Sequence, residues 1–363
     1  MDSDFQNLKK TLCEPPITNQ RNSLVSKLCQ LVRFSILRMN NPISEASNAP
    51  HQINTIKRIL GLYKTFDFKF RSANRVIAIM TESTVNAGLA DRFRTMLSGY
   101  VLAAESGKSF HIHHTKGFHL EDYLVPNEID WRINPKSIAS GFNNVQFMFF
   151  LKRIKQLQKS RECHVYSGDN LIDNGFIPSS LAHKYSDHSV FNKLFKFHPN
   201  VISSANKLMQ EIGITSNEYV SVHLRFLNFF ERVELYGNYP EGSEEEKAEM
   251  LTSIEATLEK IHKETNSEIL LFSDSNTFLK SPHADYVHVL PGTVGHVVKH
   301  NGQDDVTLKA FSDLLIMSRS RAVYSIIGKN IYAPGFCSNG FSRAGAYIGN
   351  KPFIRYPRIE KMV

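Results

Sequence analysis

The densest run of chemically capable residues in this 363-residue chain is His223-Leu224-Arg225-Phe226-Leu227-Asn228-Phe229-Phe230-Glu231. It ends a strand expected over 219–225 (YVSVHLR). Side chains alternate along a strand, so His223 and Arg225 share one face at its carboxyl end. Ligands in open α/β sheets collect beyond the carboxyl ends of strands, and a permanently charged guanidinium fork there suits a pyrophosphate. A lone arginine is most often a surface ion pair, and a lone histidine a satisfied core residue. Their pairing at this position points to function.

A second constellation, Asn86-Ala87-Gly88-Leu89-Ala90-Asp91-Arg92-Phe93-Arg94, leads from an apolar run at 75–80 into a helical pattern. Gly88 permits a tight turn, and the free N–H groups of a helix start favour an anion. Asp91 in the first turn complements the macrodipole. Arg92 and Arg94 stand about 200° apart around the helix, so one can face a cleft while the other is solvated. Taken alone, this turn reads as structural. His111 and His113 share a strand face beside His114, but no third metal ligand accompanies them, so a structural or acceptor-cleft role is expected. Asp304-Asp305 reads as charge complement at a helix start, and no D-x-D metal motif is found.

These segments, taken in order, resemble the GDP-fucose-dependent fucosyltransferases, a superfamily spanning α1,2-, α1,6- and protein O-fucosyltransferases. Their H-x-R-R-x-D motif corresponds here to His223–Asn228, with Phe226 in place of the second arginine and Asn228 in place of the aspartate. Gly88–Arg94 is similar to their G-L-x-D-R-x-R pattern. Leu271-Phe272-Ser273-Asp274-Ser275 is similar to their strand-end acid. Met317–Ala322 followed by Ser338-Asn339-Gly340-Phe341-Ser342-Arg343-Ala344 is similar to their third motif. The resemblance covers about residues 75–356. It implies a GT-B fold and fucose transfer from GDP-fucose to a glycan acceptor, inverting and without metal or a further cofactor. Arg225 is then the donor-phosphate ligand. His223, Asn228, Gly88, Arg92, Asp274, Ser275, Ser338, Gly340, Phe341 and Ser342 line the substrate sites. An inverting transfer also needs a base for the acceptor hydroxyl. Glu231, Glu234 and Asp91 are the candidates.

The elements needed to position these residues are legible. Strands are expected at 75–80, 110–114, 145–150, 163–166, 219–225, 268–272, 286–290, 322–327 and 352–356, with helices at 89–105, 152–159, 200–213, 243–263, 306–317 and 341–348. Such alternation makes parallel sheets in an α/β fold. The expected organisation is a helical segment at 1–73, including helices at 5–40 and 52–64 and a linker at 44–50. A first Rossmann-like acceptor domain follows at 74–214, and a second, donor-binding one at 215–363.

Composition excludes several classes. Hydrophobic residues make up 42%, with only 19 Gly and 14 Pro, which is globular rather than collagenous or disordered. No apolar run approaches the ~20 residues that cross a bilayer, and MDSDFQNLKK does not read as a signal peptide. Four scattered cysteines fit reduced thiols, and a cytoplasmic location is expected. The net charge is +8, and residues 1–73 hold 11 Lys/Arg against 5 Asp/Glu. That basic front can serve an anionic membrane face or be a solvated helical surface. The near-neutral remainder argues against an extended nucleic-acid footprint. Two other readings stay open: a GT-B transferase using another nucleotide sugar, and a catalytically inactive sugar-nucleotide-binding protein.

Overall fold

The computed structural model describes residues 56, 58–68, 74–81, 88–149, 151, 153–214, 216–232, 241–295, 304–327 and 340–356. The helix expected over 5–40, the linker, Glu234 and Ser338 lie outside them. Two compact units emerge. One comprises residues 1–87, 91–116 and 126–194, the other 88–90, 117–125 and 195–363.

The first unit opens with β1 (Arg75–Met80), α1 (Leu89–Glu105) and β2 (Ser109–His114). The chain passes β3 (Leu124–Pro126) and returns through β4 (Val145–Met148), β5 (Glu162–Val165) and α2 (Asp187–Leu194). Its sheet is wholly parallel in the order β2-β1-β5-β4. Ile77, Ile79, Val145 and Phe147 on one face pack with Ile56, Ile59 and Leu60 of the preceding helical residues and with Tyr63 just after them. The apolar run of β1, buried from Val76 onward, is what a doubly covered parallel strand requires.

β6 (Phe195–Phe197) pairs with β3 in a two-stranded ladder. The second unit continues with α3 (Pro199–Glu211), β7 (Tyr219–Arg225), α4 (Glu244–Thr265), β8 (Glu268–Ser273), α5 (Asn276–Leu279) and β9 (Val287–Val289). α6 (Asp304–Arg319), β10 (Val323–Ile327), α7 (Gly340–Gly349) and β11 (Phe353–Arg355) complete it. The parallel sheet runs β11-β10-β7-β8-β9. The chain therefore winds away from β7 in both directions, and the crevice beyond β7 and β10 is a topological switch point. α3, expected in the first domain, is grouped with this unit. Its Ser204 and Asn206 meet Ser312 and Arg319 of α6 at 3.0 and 2.7 Å.

Local signals explain the elements. α4 starts on a capping box, with Ser243 and Glu246 satisfying each other's backbone N–H, and ends on the left-handed Asn266. Its Ile254, Leu258 and Ile261 bury against Val220, Val222 and Leu224, the even face of β7. α7 lies close on α6 because Gly349 faces the Ser318 carbonyl, where a Cβ would come within 1.9 Å. The helix expected over 152–159 is absent: residues 153–160 form no helix. The Gln158 N–H donates to the Gln146 side chain and the Leu151 N–H to Ser167, so tertiary partners outbid a modest helical propensity.

Candidate functional site

The site grows from the odd face of β7, which carries Ser221, His223 and Arg225. Beyond Arg225 the chain turns sharply at Leu227, which adopts the left-handed conformation at φ 57°. For a buried leucine this is strained and must be held in place from outside. Asp274, directly after β8, does so. Its Oδ1 accepts from the Phe226 N–H at 2.8 Å and its Oδ2 from the Leu227 N–H at 2.9 Å. The same Oδ2 lies 3.8 Å from Arg225 Nε. One carboxylate thus fixes the turn and lies beside the Arg225 side chain, which is about one-third exposed at the strand end.

Phe226 points into the core, its ring 4.7 Å from Phe230 and 4.8 Å from Phe278. The aromatic residue at this position anchors the turn from beneath. Asn228 is buried beside it.

His223 is buried, with its ring 5.8 Å from that of Phe341 at the start of α7. Burial, helped by the nearby charge of Arg225, holds its pKa down to about 3, so it is neutral near pH 7. Ser325 stands opposite His223 in the β7–β10 register. The Ser325 and Ser221 hydroxyls are both buried without a hydrogen-bond partner among the described residues. Such orphans are uncommon in finished cores. Neither serine was singled out from sequence. The available signal was a single serine within each of two otherwise largely apolar strands, Ser221 in YVSVHLR and Ser325 in VYSII. Ser342 is wholly buried in α7, and Gly340 is that helix's first residue.

Other expected site residues have partners close by. Glu231 accepts from the Asn276 and Thr277 N–H groups and from the Thr277 hydroxyl, so its carboxylate caps α5. Ser275 is the N-cap of the same helix, accepting from Phe278 N–H. In the first unit Asp91 pairs with Arg94 at 2.9 Å. Arg92 is fully buried and donates to the Lys116 carbonyl at 2.7 Å, with His114 Nε2 3.1 Å away. It fastens the end of β2 to α1. Gly88 is the bend directly before α1. His111 Nδ1 meets the Arg132 carbonyl at 3.0 Å, while burial lowers the pKa of His113. Among the described residues no group of three or more His, Cys, Asp or Glu could hold a metal.

The first sheet also contains a network that sequence did not suggest. Glu162 and His164 of β5 are wholly buried, and His164 Nε2 meets Glu162 Oε1 at 2.6 Å. Glu162 Oε1 accepts from the Ala139 N–H and Oε2 from Arg75 Nε, while Tyr63 OH meets His164 Nδ1 at 2.5 Å and also Tyr166 OH. Burial pushes the Glu162 carboxyl up, but His164, Ala139 and Arg75 together hold its pKa below the usual value. Burial lowers the pKa of His164.

No protein-family model matches the chain, and no curated protein matches it. Among solved structures it is similar to NodZ alpha-1,6-fucosyltransferase soaked with GDP-fucose, at 10% identity and TM-score 0.46, over 76% of this chain and 93% of that one. It is also similar to fucosyltransferase NodZ from Bradyrhizobium, at 11% identity and TM-score 0.46, over 76% and 92%. A third similar structure is an Arabidopsis thaliana FUT1 variant in complex with GDP, at 11% identity and TM-score 0.49, over 96% and 82%.

Proposed function

We propose that the second unit binds a nucleotide diphosphate sugar at the carboxyl end of β7 and that the protein transfers fucose from GDP-fucose to a glycan acceptor. The observation that carries this reading is Arg225, beside Asp274 at a topological switch point above a buried, neutral His223. The ordered resemblance of His223–Arg225, Gly88–Arg94, Asp274 and Gly340–Ala344 to the fucosyltransferase motifs supports the donor class.

In this reaction the acceptor hydroxyl oxygen attacks the anomeric carbon, the bond from that carbon to the diphosphate oxygen breaks, and the hydroxyl proton passes to a base. Charge grows on the departing diphosphate, and a preorganised guanidinium stabilises it. Arg225 supplies that charge without metal. The N-terminal turn of α7 around Gly340, Phe341 and Ser342 is the positive end of a helix, which favours the second phosphate. The Ser325 and Ser221 hydroxyls, on the adjacent strands β10 and β7, are further candidate donors.

A second reading, an inactive nucleotide-sugar binder, is favoured by one observation: Glu231 and Asp91 are engaged in a helix cap and an ion pair. Thermal unfolding with GDP, GDP-fucose and UDP tests the donor. Selective stabilisation by the guanine nucleotides, about 2.7 kcal/mol at a hundred times Kd, supports the proposal. Selectivity for UDP redirects it to another nucleotide sugar. GDP release from GDP-fucose then separates the transferase from the binder.

A further inference from the structure

The described residues include only four large hydrophobic side chains that are exposed, and three fall within seven positions: Leu62 (62%), Phe66 (50%) and Phe68 (89%). The rings of Phe66 and Phe68 lie 4.4 Å apart, so they form one apolar knob. The loop that presents them is tied down on the inside. The Asp67 N–H donates to the Asn143 side chain at 3.0 Å, and the Asp67 carbonyl accepts from Asn143 and Asn144 at 3.2 and 2.9 Å. Ser140 donates to the Asp67 carboxylate at 3.1 Å. Lys64 exchanges backbone hydrogen bonds with Ser140 and Phe142 at 2.7 and 3.2 Å. The polar residue between the two phenylalanines is therefore the anchor, and the phenylalanines are what it displays. A rigid display loses little conformational entropy on binding.

The sequence flanking the two phenylalanines carries charge of one sign. Residues 57–71 contain Lys57, Arg58, Lys64, Lys69 and Arg71, with Asp67 the sole acid, its carboxylate engaged by Ser140. We propose that this loop is a docking tip for an anionic lipid surface: Phe66 and Phe68 enter the acyl boundary while the flanking lysines and arginines meet the headgroups. Apolar insertion combined with basic flanks is the physical requirement for interfacial binding. A single-stranded nucleic acid would share the charge complement and could stack bases on phenylalanine. It would leave aliphatic Leu62 unused, and the two rings already partly cover each other at 46°. An acyl boundary accepts aliphatic and aromatic side chains alike.

The test is co-sedimentation of the full chain with phosphatidylcholine vesicles, with and without phosphatidylserine. The expected result is binding to the anionic vesicles that weakens as salt is raised above about 0.15 M. Phe66→Ser with Phe68→Ser should lower it by about tenfold, with unchanged melting temperature because both rings face solvent. Lys64→Glu should lower it by a few fold and reduce the salt dependence. Asp67→Ala keeps both rings but frees the loop, and should fall between wild type and the double variant. Equal vesicle binding by the double variant would overturn the proposal. So would ring-dependent binding of a single-stranded oligonucleotide, or ring-dependent dimerisation in light scattering, without any vesicle binding.

Discussion

Two buried polar clusters, one on each sheet, are built to opposite ends. On β5 the Glu162–His164–Tyr63–Tyr166 chain is closed: each link meets the next, and Arg75 and Ala139 complete Glu162. On β7 and β10 the Ser221 and Ser325 hydroxyls lack partners among the described residues, a leucine holds a left-handed turn, and Arg225 is only partly covered. A satisfied buried network rigidifies a core, whereas strain and orphan donors persist where something else repays them. The contrast supports reading the β5 cluster as one that secures the fold and the β7 cluster as the proposed donor site.

The sharpest break in that comparison is Glu162→Ala. It leaves Arg75 and His164 facing a buried vacancy and should destabilise the protein by about 3–5 kcal/mol. Its GDP affinity, measured by calorimetry below its melting temperature, should match wild type. Reduced affinity at full stability would show that the β5 network is not merely structural.

Arg225→Ala should do the reverse. Transfer should slow, its activation free energy rising by about 2–4 kcal/mol, read as GDP release, with little change in melting temperature. Arg225→Lys should recover only part of it, since an ammonium cannot present the fork. Full activity in Arg225→Ala would remove the β7 site from the chemistry.

The pH dependence of stability tests His223. An unfolded histidine titrates near about 6.5, whereas in the fold this one is held at about 3. As pH falls the unfolded chain takes the proton first, so its contribution is whole above about pH 6.5 and is lost progressively towards pH 3. His223→Asn should flatten the melting temperature against pH across that window. An unaltered acid slope would assign the sensitivity to other groups, His113 and His164 among them, whose pKa values are also lowered by burial.

The smallest effect is expected from Ser325→Ala. Removing an orphan hydroxyl should leave stability unchanged or slightly higher, while GDP affinity falls by about 0.5–1.5 kcal/mol if that hydroxyl meets the donor. Lost stability with unaltered affinity would mean that Ser325 serves the fold alone.

The sequence by itself determined most elements of the second unit. The β7 strand, α4 with its Ser243 cap and the apolar face of α6 are local patterns, because propensity, capping and periodicity act over a few residues. β1 and α1 were equally legible. The position of Arg225 at a strand's carboxyl end followed from the same patterns. What the chain does after Arg225 did not. Asp274 is 49 positions away, and only strand pairing brings it under the Phe226 and Leu227 amides. The capping role of Glu231 and the failure of a helix over 152–159 have the same origin, in partners distant in sequence. The β5 network joins Tyr63, Arg75 and Glu162–Tyr166 across as many as 103 positions. Local sequence carries the energies of single turns and strands. Which polar groups are answered and which are left open is decided by non-local register, and only the tertiary structure contains that.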